Sequence, residues 1–417
     1  MQSVFRASFG WFLTLVSFLC VFLLFSCDKS DDSSEADETS SRTVLVYMVA
    51  ENSLDASGYN FAVKDINEML RGRSSMSDND RLVIYYDGQS VPLLYVVDRK
   101  TKASVAEDLK GIEIFSGDVN SCDPEVLDDV VSYTMEHYQA DSYGIIFWSH
   151  ASGWVMQDHQ NVKYRNAHMN FSFGVDNGKN SGSNIGREMN ISEMASVLGR
   201  FPKFDFIMFD ACFMQSVEVC HELKSCCNYI IGSPAEIPGP GAPYDKIMSP
   251  MFSDKLTVEG IVDAYYSYYN QSSQYGAVLS AVDCSQLDQL ASTTSFYLSK
   301  YGQSFNGVDY SSVQNYFIYD SWKYWKDGMP DCYDINSLMK HLLLSEDYQS
   351  WLPSLYQAVP YRKSTSTWYT AFINGFLPVN LDEYGGISMF LPLDKYVGEK
   401  FLSDYETTSW AKTVLYN

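Results

Sequence analysis

Basic residues are scarce in this sequence. It holds 29 Lys and Arg against 52 Asp and Glu, a formal charge of −23. Nucleic-acid binders neutralise phosphates with clustered Lys and Arg, so that class of partner is excluded. Zinc-type cysteine pairs are missing too. No Cys-x-x-Cys occurs, and the adjacent Cys226 and Cys227 are poorly placed to ligate one metal together. Gly-x-Ser-x-Gly, His-Glu-x-x-His, the Walker loop and Gly-x-Gly-x-x-Gly are all absent. That removes the hydrolases, metallopeptidases and nucleotide binders those motifs mark. No internal repeat is visible.

What is present begins with a leader. Arg6 is the only charge before Cys27, and Phe9 to Phe25 is almost wholly apolar. A basic start, an apolar stretch and small residues at a cleavage point have the layout of a secretory signal. Leu24-Phe25-Ser26-Cys27 resembles a bacterial lipobox, which implies lipid on Cys27. The other reading is a membrane-spanning anchor, for which a run of about 17 residues is at the short limit. Asp28 to Ser41 carries six acids and one Lys. Such a segment cannot bury enough surface to offset its ordering entropy. An acidic run after a lipidated cysteine resembles the surface-export signal of Bacteroidetes lipoproteins. The expectation is a signal peptide over 1–26 and a disordered tether over 27–41. The site of action is then the outer membrane or cell surface of a Gram-negative bacterium, with the lipid as membrane partner.

Hydrophobic residues make up 46% of the 417 residues, enough for one large domain or two ordinary ones. Seven cysteines lie beyond the leader. Seven is odd, so one stays free if all the others pair, and spacing does not say which. Thr43 to Ala50, Arg81 to Asp87, Tyr143 to His150 and Phe204 to Phe209 read as buried strands. Pro92 to Asp98 reads as another. Helices are expected over Asp55 to Leu70, from Asp123-Pro124 to about Gln139, and from Ile191 to near Gly199. Strands alternating with helices predict an α/β fold, a largely parallel sheet with helices on both faces.

Two strand ends stand out. IIFW runs into Ser149-His150, and FIMF runs into Asp210-Ala211-Cys212. In open α/β sheets, sites form beyond the carboxyl ends of strands. If these strands are neighbours, His150 and Cys212 emerge on one edge. The sequence after Cys212 reads as helical, and a cysteine at a helix N-terminus is biased toward thiolate. A Cys and a His brought together by the fold are the minimum for acyl transfer. The bland alternative is an inert buried thiol, which is how Cys220, Cys226 and Cys227 read. His221 reads as a surface residue.

These residues carry a resemblance. The mature chain resembles the clostripain family of cysteine peptidases, which share a caspase-like fold. The match runs through VLVYMVAENSLD (Val44 to Asp55), FWSHASGW (Phe147 to Trp154) and FDFIMFDACFMQSVEV. It continues through GSPAEIPGPGAPY (Gly232 to Tyr244), VLSAVDCSQLDQLA (Val278 to Ala291) and GGISMFLP (Gly385 to Pro392). The resemblance implies that Cys212 is the nucleophile and His150 the catalytic histidine. Backbone N–H groups at Ala151 and Cys212 would hold the oxyanion, and Asp210 would line the substrate pocket. Two positions depart from the family: Ala151 replaces the usual Gly, and Pro240 stands where an acid is common, with Asp245 as a nearby substitute. The implied function is peptide-bond hydrolysis through a thioester, acting on a peptide or protein. The alternative is an impaired pseudopeptidase that binds peptide or glycan. No cofactor is expected. Some relatives use calcium, and the one hint here, Asp176-Asn177-Gly178, lacks full ligand spacing. The catalytic domain is expected over 42–250, and a mainly helical C-terminal subdomain over 251–417. Val155 to Asn190 reads as an exposed loop open to self-cleavage, with Lys163, Arg165, Lys179 and Arg187 as candidate points.

Overall fold

The computed structural model describes residues 41–56, 58–88, 90–156, 172–178, 188–253, 255–301, 304–319 and 329–416. Residues 39–417 form one compact unit. The leader, Cys27 and nearly all of the tether lie outside the described residues, as do the four candidate cleavage points.

Eight strands form the central sheet. They are β1 (Arg42–Val49), β2 (Arg81–Asp87), β3 (Leu93–Val97), β4 (Ser142–Trp148), β5 (Phe204–Asp210), β6 (Cys227–Gly232), β7 (Val278–Asp283) and β8 (Tyr361–Ser364). Their order across the sheet is β3-β2-β1-β4-β5-β6-β7-β8. The five inner strands from β2 to β6 are parallel. The remaining pairs, β2–β3, β6–β7 and β7–β8, are antiparallel.

The apolar runs explain the layering. Every residue of β1 is buried. Leu45, Tyr47 and Val49 enter one core, and Val44, Val46 and Met48 enter the other. Side chains alternate between faces, so a strand covered on both sides must be apolar at every position. The first face is covered by α2 (Pro124–His137), α3 (Ile191–Leu198), α4 (Val217–Leu223) and α7 (Leu287–Tyr301), through Leu127, Met194, Val219 and Leu290. The second is covered by α1 (Phe61–Gly72), α5 (Tyr244–Met251) and α6 (Val258–Tyr269), through Ile66, Ile247 and Tyr265.

Several local signals act as expected. The Asp123 side chain accepts from the Glu125 N–H and Pro124 opens α2. Asn190 and Glu193 form a capping box at the start of α3. Helix α1 begins later than expected, at Phe61, because Asn60 holds a left-handed φ of 47° just before it. Within GGISMFLP only Ser388–Met389 forms a strand, paired with Tyr333–Asp334. The C-terminal half supplies helices to the first face, with Leu338, Trp351 and Trp410 in that core, and it supplies β7 and β8 to the sheet.

Candidate active site

Strands β4 and β5 are paired in parallel, with Trp148 opposite Asp210. Two residues beyond that pair the chains reach His150 and Cys212. Both side chains keep partial contact with solvent.

His150 is held from two directions. Its Nε2 lies 2.9 Å from the Ser53 hydroxyl, on the loop after β1. Its carbonyl accepts from the Gly174 N–H at 2.9 Å. Asn52 ties these loops together, donating from Nδ2 to the carbonyls of Val49 and Val175 at 2.8 and 2.9 Å. Burial pushes the His150 ring down to about 4, so it is neutral at rest.

Cys212 differs from expectation. The helix does not follow it. Phe213 takes a left-handed φ of 61°, and α4 starts at Val217 after a Ser216 cap. The thiol therefore lacks the helix dipole. It accepts instead from the Ile237 N–H at 3.4 Å. Burial, then the nearby Glu236 carboxyl, push it up to about 12, so the thiol is protonated at rest.

Ala151 bridges Phe173 in antiparallel fashion. The flanking bonds, Ser152 N–H to Ser172 and Gly174 N–H to His150, mark it as the non-bonded position. Its own N–H therefore points away from Phe173. Ala151 has no positive φ, so its backbone does not require glycine; that conformation falls at Gly153, φ 81°.

Asp210 is buried. It accepts from the Ala242 N–H at 3.1 Å and the Tyr244 hydroxyl at 2.9 Å. Burial raises its pKa. Asp65 lies beside it, accepts from Trp148 Nε1 at 2.7 Å, and is also raised, first by burial and then by Asp210. Pro240 is half-buried in the same turn. Asp245 faces outward on α5 in an ion pair with Lys246 at 2.9 Å.

Other expectations sort as follows. All seven described cysteines are free, including Cys227 and Cys284 with sulfurs 3.6 Å apart. His221 is buried rather than exposed, bonded to the Ser409 hydroxyl at 2.8 Å. Phe173, inside the segment read as an exposed loop, is fully buried. Sequence reasoning missed Ser53 and Glu236. The Asn-containing loop after β1 was a signal for the first. Glu236 had none, since only the fold carries it to Cys212. Its Oε1 accepts from the Ala371 N–H at 3.3 Å, and burial pushes it up to about 7.

A histidine and a cysteine at the carboxyl ends of adjacent parallel strands, in a sheet flanked by helices, are an arrangement that a cysteine hydrolase can use. The family follows from comparison. A model of the clostripain family matches residues 46–417. A secreted C11 cysteine protease from Bacteroides thetaiotaomicron, solved with an irreversible peptide inhibitor, is 31% identical. That likeness covers 90% of this chain and 99% of that one, with a TM-score of 0.72. An inactive zymogen C11 protease from Parabacteroides distasonis is 28% identical over the same shares, with a TM-score of 0.71. Clostripain of Hathewaya histolytica is 26% identical over 239 residues, 49% of this chain and 41% of that protein. The chain thus spans about two fifths of the curated relative it matches. The chain belongs to the clostripain family of cysteine peptidases.

Proposed function

We propose that this chain is an exported, surface-anchored endopeptidase that hydrolyses peptide bonds through Cys212 and His150. The carrying observation is the Trp148–Asp210 register, which ends β4 and β5 side by side two residues short of both side chains. Chemistry starts from a neutral pair. As Sγ attacks the scissile carbonyl, its proton passes to His150. With Nε2–H donating to the Ser53 hydroxyl, Nδ1 is the nitrogen left to take this proton. The N–H groups of Ala151 and Cys212 take the oxyanion, and losing one such donor typically costs about 10²–10³ in rate. The imidazolium protonates the leaving amine. His150 then accepts a proton from water as the thioester is hydrolysed.

Family membership and the ordinary backbone at Ala151 favour an active enzyme over an impaired binding module. Surface anchoring is supported by the leader and the cysteine at 27; Cys27→Ala should release the protein or leave it unprocessed. A basic P1 is not favoured. Asp210 is engaged by Ala242 and Tyr244, Asp245 by Lys246, and Pro240 carries no charge. A peptide library varied at P1 tests this, and efficient Arg- or Lys-directed cleavage would overturn it. The test of the main proposal is Cys212→Ala. Peptide turnover should vanish while thermal unfolding is unchanged, and retained turnover sinks the assignment.

A further inference from the structure

A short hairpin stands over the cysteine flank of the site. Strands β9 (Thr367–Thr370) and β10 (Gly375–Pro378) pair antiparallel in a two-stranded sheet separate from the central one. Alternation divides their side chains between two faces. Trp368 and Thr370 are fully buried, and Trp368 and Leu377 belong to the small core of Phe213 and Phe317 against which Cys212 also packs. Tyr369 and Phe376 lie opposite each other on the outer face, with ring centroids 5.7 Å apart.

The turn joining β9 to β10 is fastened to the surroundings of the nucleophile. Its Ala371 N–H donates to Glu236 Oε1 at 3.3 Å, and the residue after Glu236, Ile237, donates its N–H to Cys212 Sγ at 3.4 Å. Phe372 packs against Phe213, the residue after Cys212, with centroids 6.4 Å apart. Asn374 closes the turn with a left-handed φ of 49° and accepts from the Tyr369 hydroxyl at 2.7 Å. The root is fixed as well, because the Thr367 carbonyl sits so close to Gly276 that no Cβ fits there. This rigid support carries two large apolar side chains that the fold does not cover: Ile373 and Phe376 are each 47% exposed.

We propose that Ile373 and Phe376 form an apolar subsite for the acyl half of the peptide substrate, selecting a large apolar side chain at one of the positions P2 to P4. The proposal rests on the peptidase reading above. Direction follows from the chemistry. The leaving amine takes its proton from His150, so the primed half of a peptide lies on the β4 side of Cys212. The acyl half extends the other way, past β6, because β6, β7 and β8 lie beyond β5 in the sheet. The hairpin stands on that side, since β9 follows β8 and Glu236 follows β6. A site on an anchored hairpin holds its geometry better than one on a loose loop. Covering one large apolar side chain is worth roughly 10- to 100-fold in discrimination.

The test uses the full mature chain and peptides that share one P1 residue and carry Leu, Phe, Ser or Asp in turn at P2, P3 and P4. At one of these positions kcat/KM of the parent should favour Leu or Phe over Ser by about tenfold or more. In the double variant Ile373→Ser, Phe376→Ser that ratio should fall to about twofold or less, mainly through slower cleavage of the Leu and Phe peptides. Ile373→Ser alone, in the turn outside the paired strands, should lose part of the preference and serves if the double variant does not fold. A parent without apolar preference at P2 to P4, or variants that keep it, would overturn the subsite. Failure of the peptidase reading looks different: no peptide is turned over at all. Binding to Cys212→Ala then decides the subsite. By fluorescence anisotropy it should hold the Leu peptide at least about fivefold tighter than the Ser peptide, and the tip substitutions should abolish that difference; equal binding refutes the proposal. Should the tip instead seat in a second copy of the chain, sedimentation would show a dimer that Phe376→Ser dissolves with peptide selectivity intact, which also refutes it.

Discussion

On the Cys212 side of the sheet edge, Asp210 and Asp65 are closed by donors, while Glu218 and Glu236 each keep one oxygen without a partner. Asp210 takes Ala242 N–H and Tyr244 hydroxyl, and Asp65 takes Trp148 Nε1. On the His150 side, Asp87 is as deeply buried but keeps one oxygen without a donor. Both sides use the same residue type in the same sheet. The difference teaches that burial of an acid does not define its role; the count of donors does. A closed acid shapes a turn, here the Gly241-Ala242 turn.

The sharpest way to break this comparison is at the proposed Cys212–His150 dyad between the two sides. Cys212→Ala and His150→Ala should each lower kcat/KM by at least about 10³, and the double variant should lose little more, because the two act as a unit. Losses that simply multiply would show that they do not. A smaller effect separates the sides. Ser53→Ala should lower kcat about tenfold with KM nearly constant, since it frees the His150 ring without touching substrate, and Ser53→Thr should restore part of the loss. Tyr244→Phe should do the reverse, costing about 1–2 kcal/mol in denaturant unfolding while leaving kcat within a few fold. Equal kinetic losses in both would erase the distinction.

Glu236→Gln gives a subtler readout. The Cys212 thiol is pushed up to about 12, and Glu236, raised to about 7, is ionised at pH 8. Removing that charge lowers the thiol pKa and enlarges the thiolate fraction. Alkylation at pH 8 should therefore speed up a few fold, and an unchanged or slower rate would remove Glu236 from the nucleophile's surroundings. In the parent, alkylation should keep rising with pH above 9.

The smallest effect concerns the closed pair. Asp65 and Asp210 have folded pKa values above their unfolded ones, about 6 for Asp210. The stability they contribute is present below about pH 4 and is lost as pH rises through the raised values. Asp65→Asn removes one of the two charges and should flatten the fall in stability between pH 5 and 8, by an amount on the order of 1 kcal/mol. An equally steep fall would mean that the pair is not its source.

The sheet and the placement of His150 and Cys212 at the ends of adjacent strands were legible in the sequence because apolar runs record burial on both faces. FIMF and IIFW could hardly be anything but inner strands, and the candidate site lies just beyond them. The expected bias toward thiolate is missing because the stretch after Cys212, with Phe213, Val217, Cys220 and Leu223 at helical spacing, is not one helix. Ser216 caps a helix that begins only at Val217, and Phe213 turns the chain with a left-handed backbone. Periodicity cannot see a single dihedral. The carboxylate cluster of Glu51, Asp87 and Asp118, with one oxygen of each within 4.8 Å of the others, was invisible for another reason. Its members lie more than thirty residues apart in sequence, and the parallel pairing of β1 with β2 brings the first two together. The aspartate at 176 attracted notice through its own neighbours, and Gly178 is indeed one of its partners, but the other, Ser121, is reached only through the fold.

The β4–β5 pairing has a consequence for chain integrity. His150 and Cys212 are brought side by side by the pairing of β4 with β5, which does not require an unbroken chain between those two strands. A cut within 157–171 leaves one fragment with β1 to β4 and another with β5 to β8, each presenting an open sheet edge that only the other can cover. Gly174 then sits on the cysteine-bearing fragment while still donating to His150 on the other. A nicked molecule would thus be an obligate heterodimer of its own two halves, co-purifying in native buffer and parting only in denaturant.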